Sequence, residues 1–105
     1  RGDFTSYTLS KYGLWGLTQM LARGLAPNIR VNAIAPGPTL ASHRQTPDQF
    51  ADQWQATPLE RPVDPQDICR ALRFVLDAEA LTGQIIALDS GQHMGAAWDN
   101  GPAPE

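Results

Sequence analysis

The sequence predicts an α/β fold that forms one half of a doubly wound parallel sheet. Two amphipathic helical segments alternate with two short apolar runs in the order helix, strand, helix, strand, and the connections contain turn residues. Parallel strands joined by helical crossovers are typical of such sheets. Because two strands leave sheet edges unpaired and cannot cover two helices, we expect the C-terminal part of a longer protein that is truncated at its N-terminus.

The first predicted pair of elements occupies residues 6–35. Residues 6–26 are predicted to be a helix because leucines recur at helical spacing, at Leu9, Leu14, Leu17, Leu21 and Leu25. Pro27 ends this helix, and residues 29–35 follow as a strand rich in β-branched side chains. The turn Pro36-Gly37-Pro38 ends the strand.

The second predicted pair follows a polar, proline-rich excursion over residues 38–63, in which Phe50 and Trp54 mark one side of a short helix after Pro47. Asp64 is expected to cap a helix that runs to about residue 78. Its apolar face, in which Cys69 is expected to be buried, contains Ile68, Cys69, Ala71, Leu72, Val75 and Leu76. A strand over residues 84–88 completes a predicted domain of residues 1–95, and residues 96–105 are predicted to be a flexible tail.

Composition excludes several classes of partner. Eight Lys and Arg residues against eleven Asp and Glu residues give a net charge of −3, without a basic run that would neutralise nucleic-acid phosphates. One cysteine, Cys69, allows no internal disulfide, and the two histidines offer no metal-ligand spacing with it. The apolar runs are far shorter than a membrane span needs. We therefore expect a cytoplasmic protein with no metal, nucleic-acid or membrane partner.

Tyr7 and Lys11 form the first candidate for chemistry. They lie four residues apart in the first predicted helix, so their side chains share one face. A nearby ammonium favours the phenolate and lowers the phenol's pKa from its reference value of about 10, which suits proton exchange with a carbonyl or alcohol. The spacing alone is also common by chance, and two surface residues that pack along a helix would show it equally.

The turn at Pro36-Gly37 forms the second candidate. It lies at the carboxyl end of a predicted parallel strand, where open α/β sheets bind ligands. Gly37 would let a flat ligand approach the backbone, and the hydroxyl of Thr39 would bond an amide or phosphate. An ordinary turn that ends a strand explains the same residues.

Four stretches together resemble the C-terminal half of a short-chain dehydrogenase/reductase. They are residues 7–11 (Tyr-Thr-Leu-Ser-Lys), residues 25–37 with their closing Asn-Ala-Ile-Ala-Pro-Gly, residues 57–61, and residues 81–91. Residues 38–39 and 91–94 are most similar to a bacterial pteridine-reductase-like group within that family. The resemblance implies a Rossmann-like, NAD(P)-binding fold.

The same resemblance implies a role for each matching residue. Tyr7 would be the proton donor to the carbonyl oxygen, and Lys11 would lower its pKa and bond the nicotinamide ribose. Pro36 and Gly37 would pass under the nicotinamide, and Thr39 would hold its carboxamide. The implied reaction transfers a hydride between NAD or NADP and a carbonyl, alcohol or cyclic imine substrate.

The chain also departs from the family pattern. The glycine-rich phosphate loop, an asparagine and the catalytic serine are expected before residue 1, so the chain alone is expected to be inactive. Many members carry a threonine where Ala41 stands, and glycine is common where Glu60 and Ser90 stand.

Two functions remain open from the sequence. The complete protein is predicted to be an enzyme that forms a homodimer or homotetramer, with buried apolar area from Ile68, Leu72, Val75 and Ile85 or Ile86. An inter-subunit contact near the active site is also open for His93 and Trp98, which follow the last predicted strand. The alternative is a non-catalytic fragment or assembly module that binds other chains through its sheet edge and apolar helix faces.

Overall fold

The computed structural model describes residues 2–40 and 43–95, and the side chains of those ranges from residue 9 onward. The predicted tail, residues 96–105, lies outside the described residues. In chain order the elements are α1 (Gly2–Leu25), β1 (Ala33–Pro36), α2 (Pro47–Gln55), α3 (Pro65–Asp77), β2 (Ile85–Leu88) and a short 3-10 helix (Gln92–Met94). Among these described elements, no helix has both the length and the apolar character that crossing a membrane requires.

The two strands form a parallel pair, which confirms the predicted α/β class. The Ala33 N–H donates to the Gln84 carbonyl at 2.9 Å, and the Gly37 N–H donates to the Leu88 carbonyl at 3.0 Å. Donor and acceptor both advance by four residues between these bonds, which is the register of parallel strands. The chain between the strands contains α2 and α3, so the connection is a helical crossover.

The first strand is shorter than predicted, because the residues before Ala33 bond to a loop. The Val31 N–H donates to Thr82 Oγ1 at 3.1 Å, and the Val31 carbonyl accepts from the Gly83 N–H at 2.8 Å. These contacts replace a strand ladder, and β1 begins at Ala33 rather than at residue 29.

The chain divides into two compact units. The first unit contains the described residues of Arg1–Ile34 and Leu72–Ile86. The second unit contains the described residues of Ala35–Ala71 and Ala87–Glu105.

In the first unit, α1 packs through small side chains. Among its described side chains, Thr18 and Ala22 are the buried ones, and the Thr18 hydroxyl donates to the Leu14 carbonyl at 2.7 Å. A Cβ on Gly83 would lie 3.6 Å from that of Ala22, so helix and loop are in ordinary contact. The leucines that predicted the helix are 39% to 67% exposed. Their spacing therefore identified the helix without identifying the face that this chain buries.

Arg30 caps the end of α3. Its Nη1 donates to the carbonyls of Val75, Ala78 and Leu81 at 3.0 to 3.1 Å, and Nη2 donates to the Leu76 carbonyl at 3.2 Å. The last carbonyls of a helix have no partner within the helix, so the guanidinium satisfies groups that would otherwise need water.

In the second unit, α2 begins where the sequence predicts. Thr46 Oγ1 accepts from the Gln49 N–H at 3.1 Å, and Gln49 Oε1 accepts from the Thr46 N–H at 2.9 Å. This reciprocal pair is a capping box, and Pro47 occupies the first helical position. Phe50 and Trp54 are both half-buried, as expected of one helix side.

The start of α3 also follows the prediction. Asp64 Oδ1 accepts from the Gln66 N–H at 2.8 Å, and Asp67 Oδ2 accepts from the Asp64 N–H at 3.1 Å. The expected burial of Cys69 is wrong, because its side of the helix faces solvent in this chain. The remaining predicted face is divided: Ile68, Ala71 and Val75 are half-buried, whereas Leu72 and Leu76 are exposed.

Candidate functional site

The predicted tyrosine and lysine both lie in α1, within the first unit. Their spacing of four residues places them on one side of this helix. Lys11 is half-buried and its Nζ is shielded from solvent, whereas the side chain of Tyr7 lies outside the described part of the chain. The contact between phenol and ammonium therefore stays a prediction.

The predicted turn follows β1 in the second unit, where Gly37 lies against Asp89. A Cβ on Gly37 would lie 2.6 Å from Asp89 Cβ and 2.7 Å from Asp89 Cα, closer than real Cβ contacts. The position therefore requires glycine because the two strand ends approach closely. Close packing of the strand ends is thus one reason for glycine at this position, and access for a flat ligand, as the sequence suggested, is a second.

Pro36, Gly37 and Thr39 are brought together in this turn. The Thr39 hydroxyl donates to the Gly37 carbonyl at 2.8 Å, which leaves its oxygen lone pairs to accept from an amide N–H. The buried Pro38 accepts the Val63 N–H through its carbonyl at 2.6 Å, so the turn is tied to the segment before α3. This arrangement suits a carboxamide.

Taken separately, each unit offers one kind of group that a nicotinamide cofactor uses. An ammonium shielded from bulk water suits a ribose diol, and a turn with an available hydroxyl oxygen suits the nicotinamide amide. Across the described ranges, no group of three or more His, Cys, Asp or Glu side chains is arranged to hold a metal ion.

A pairing that the sequence did not predict lies directly after β2. Asp89 is 2% exposed, and its carboxylate accepts from the backbone N–H of Gly91 at 3.1 Å and of His93 at 2.9 Å. His93 Nδ1 lies 2.9 Å from Asp89 Oδ1 and 3.1 Å from Oδ2. The spacing of four residues between an aspartate and a histidine was a visible signal, but it indicates contact only where the backbone turns as it does here.

The sequence of the chain matches a model of a known protein family over most of its length. The model described as Enoyl-(Acyl carrier protein) reductase matches residues 2–93, which is most of the chain. The chain belongs to the short-chain dehydrogenase/reductase family.

Three relatives show the range of similarity. FolM Alternative dihydrofolate reductase 1 from Brucella suis, whose crystal structure is a complex with NADP, is 52% identical to this chain, and the two structures match with a TM-score of 0.79. The match covers 90% of this chain and 38% of that chain. An uncharacterized oxidoreductase of Mycobacterium tuberculosis is 45% identical over 92 residues, covering 82% of this chain and 37% of that protein. The short-chain dehydrogenase/reductase homolog YusR of Bacillus subtilis is 35% identical, and the match covers 87% of this chain and 71% of YusR.

The chain thus spans under two fifths of the first two relatives. The predicted α/β architecture with a parallel sheet is confirmed by the solved neighbours.

Proposed function

We propose that the complete protein transfers a hydride between a nicotinamide cofactor and a carbonyl, alcohol or cyclic imine substrate. The observation that supports this most is the placement of Tyr7 and the half-buried Lys11 four residues apart on α1, in a chain of this family. Tyr7 is the general acid and base of the proposal, and Lys11 is its electrostatic partner.

The proposed chemistry uses few groups. When bound, the nicotinamide supplies or accepts the hydride. The Tyr7 hydroxyl gives a proton to the substrate oxygen or nitrogen, or takes it back in the reverse direction. The Lys11 ammonium lowers the pKa of a neighbouring phenol and donates to the ribose hydroxyls. Pro36 and Gly37 would pass under the nicotinamide, and Thr39 would hold its carboxamide.

A reduced pteridine with NADPH is the first substrate pair to test. The FolM protein of Brucella suis is called an alternative dihydrofolate reductase and was crystallised with NADP, and it is 52% identical over the match. Dihydrofolate contains a cyclic imine, so it belongs to the proposed substrate class. We propose NADP as the cofactor on the same ground.

The proposal extends to organisation and location. Residues 1–95 form part of a single Rossmann-like domain, and the protein assembles as a homodimer or homotetramer. A cytoplasmic location agrees with the single cysteine, Cys69, which forms no internal disulfide.

The second candidate function is an assembly module without catalysis. Leu72, Phe74 and Leu76 on α3 expose large apolar side chains, which supports binding to another chain. Titration with NADPH and NADH distinguishes the two proposals. The enzyme proposal requires saturable binding by the complete protein, whereas the module proposal expects none.

Tyr7→Phe tests the enzyme proposal directly. In the complete protein, kcat/KM for dihydrofolate with NADPH should fall about 100-fold to 10,000-fold, because the proton donor is lost. The dissociation constant for NADPH, measured by fluorescence titration, should change by less than about twofold, because the lysine and the turn are retained.

Tyr12→Phe is the matched control. Tyr12 lies on the same helix, is 65% exposed, and has Gly16 rather than lysine four residues later. Its removal should leave kcat/KM unchanged. Full activity of Tyr7→Phe would refute the role of Tyr7, and a wild-type protein inactive with dihydrofolate would refute the proposed substrate.

A further inference from the structure

The Asp89 carboxylate holds the ring of His93 in one orientation. The carboxylate is almost completely buried, at 1% side-chain exposure, and is fixed by the backbone N–H groups of Gly91 and His93. The histidine side chain is 42% exposed. The buried Asp89 carboxylate therefore holds an imidazole ring that is partly exposed to solvent.

The anchor also determines which ring nitrogen is available. A carboxylate only accepts hydrogen bonds, so His93 Nδ1 carries the proton that lies between the two groups. In the neutral ring, Nε2 is then a lone-pair acceptor. Orientation and tautomer are both set before any ligand arrives, as they are for histidines that a carboxylate supports in enzyme sites.

The pair lies where the second unit would receive a ligand. Asp89 packs against Gly37, so the carboxyl ends of the two parallel strands meet there. Open α/β sheets bind ligands beyond the carboxyl ends of their strands.

Apolar side chains accompany this polar group. The Leu59 N–H donates to the Ser90 carbonyl at 3.0 Å, and Met94 follows His93 directly. Leu59 and Met94 both expose their side chains. A few fixed polar groups among apolar ones are typical of small-molecule sites.

We propose that His93 is a substrate-binding residue, and that its Nε2 accepts a hydrogen bond from an N–H or amino group of the substrate. Asp89 is the positioning residue that orients the ring. This inference rests on the proposed function, because a reduced pteridine offers ring N–H and amino donors of the required kind. It adds a residue outside the Tyr7, Lys11 and Pro36-Gly37-Thr39 set.

Two substitutions of His93 distinguish the proposed substrate contact at Nε2 from the hydrogen bond between Nδ1 and Asp89. In His93→Asn, the side-chain amide takes the place of Nδ1 toward Asp89, and nothing replaces Nε2. In His93→Gln, the longer amide oxygen reaches the position of Nε2 and supplies an acceptor there. His43→Asn is the matched control, because His43 is the other histidine of the chain and is exposed.

The measurements are steady-state kinetics with dihydrofolate and NADPH, NADPH titration, and thermal unfolding, all on the complete protein. His93→Asn should raise the KM for dihydrofolate about tenfold and change kcat much less, which corresponds to one lost hydrogen bond. His93→Gln should restore KM to within about threefold of wild type. The melting temperature and the NADPH dissociation constant should not change, and His43→Asn should behave as wild type.

The possible results distinguish failure of the His93 assignment from failure of the proposal on which it rests. An active wild-type protein whose KM is unchanged in His93→Asn overturns the His93 assignment and leaves the proposed function standing. A parallel fall in melting temperature, NADPH affinity and activity in both His93 variants also overturns it, since His93 would then act only as a structural cap. Absence of dihydrofolate turnover in the wild type refutes the proposed substrate, and the His93 assignment falls with it.

Discussion

Glu60 and Ser90 adopt a backbone conformation that side chains disfavour. Their φ angles are +52° and +56°, and among the described residues they are the two non-glycine positions with positive φ. Glycine reaches this region without steric cost, whereas other residues pay about 1 kcal/mol or more. The family resemblance places glycine at both positions, and the structure supplies the physical reason. The Ser90 hydroxyl also donates to the Arg61 carbonyl at 2.7 Å, so Glu60 is the cleaner test.

Glu60→Gly should stabilise the protein. We expect the free energy of unfolding in urea to rise by about 1 kcal/mol, because the strained conformation is relieved and the exposed side chain is dispensable. Glu79→Gly is the control, since Glu79 is exposed and has no positive φ. That change should lower the free energy of unfolding by roughly 0.5 to 1 kcal/mol through backbone entropy. Equal effects of the two substitutions would contradict this account.

At the scale of elements, Arg30 joins the segment before β1 to the end of α3. Its four hydrogen bonds reach carbonyls 45 to 51 residues away in sequence. Asn32 adds a second tie, because its side chain donates to the Leu81 carbonyl at 2.9 Å and accepts from the Gln84 N–H at 3.1 Å. Charged hydrogen bonds to a helix C-terminus stabilise more than neutral ones.

Arg30→Ala should lower the free energy of unfolding by about 2 to 3 kcal/mol, because several α3 and loop carbonyls lose their donor. Arg30→Lys should recover only part of this loss, since an ammonium lacks the planar fork of donors. Urea denaturation measures both. Arg73→Ala, at an exposed position on α3, should stay within about 0.5 kcal/mol of wild type. An Arg30→Ala variant as stable as that control would show that the cap is dispensable.

At the scale of the whole molecule, the chain exposes much apolar surface. On α3 the exposed fraction is 49% for Leu72 and 58% for Phe74, and α1 exposes several leucines. Patches of this kind mark surfaces that another chain or another part of the protein covers. The proposed homodimer or homotetramer would bury the α3 side together with Ile68, Val75 and Ile85 or Ile86.

Leu72→Asp should dissociate the assembly of the complete protein. A fully buried leucine contributes roughly 1.5 to 3 kcal/mol, and a carboxylate in an apolar contact adds a desolvation cost. Light scattering across micromolar concentrations should show a dimer or tetramer for wild type and smaller species for the variant. Gln66→Asp adds the same charge at an exposed position in the first turn of α3 and should leave the assembly intact. A wild-type monomer at every concentration would refute the proposal.

Local interactions explain what the sequence predicted by itself. The order of helices and strands, the short helix at Pro47, and the start of α3 after Asp64 all depend on residues within a few positions of each other. Such signals are present in the chain before it folds. The spacing of Tyr7 and Lys11 on one helix belongs to the same group.

Only the tertiary structure decided which faces are buried and which distant groups meet. Cys69 is exposed against expectation, and α1 buries Thr18 and Ala22 in place of its leucines. Helical periodicity defines a face, but burial depends on what packs against it. The approach of Gly37 to Asp89 joins residues 52 positions apart, and it follows from strand pairing that no local pattern encodes. The His93 ring contacts Asp89 across the backbone turn after β2, and Asp89 itself packs against Gly37.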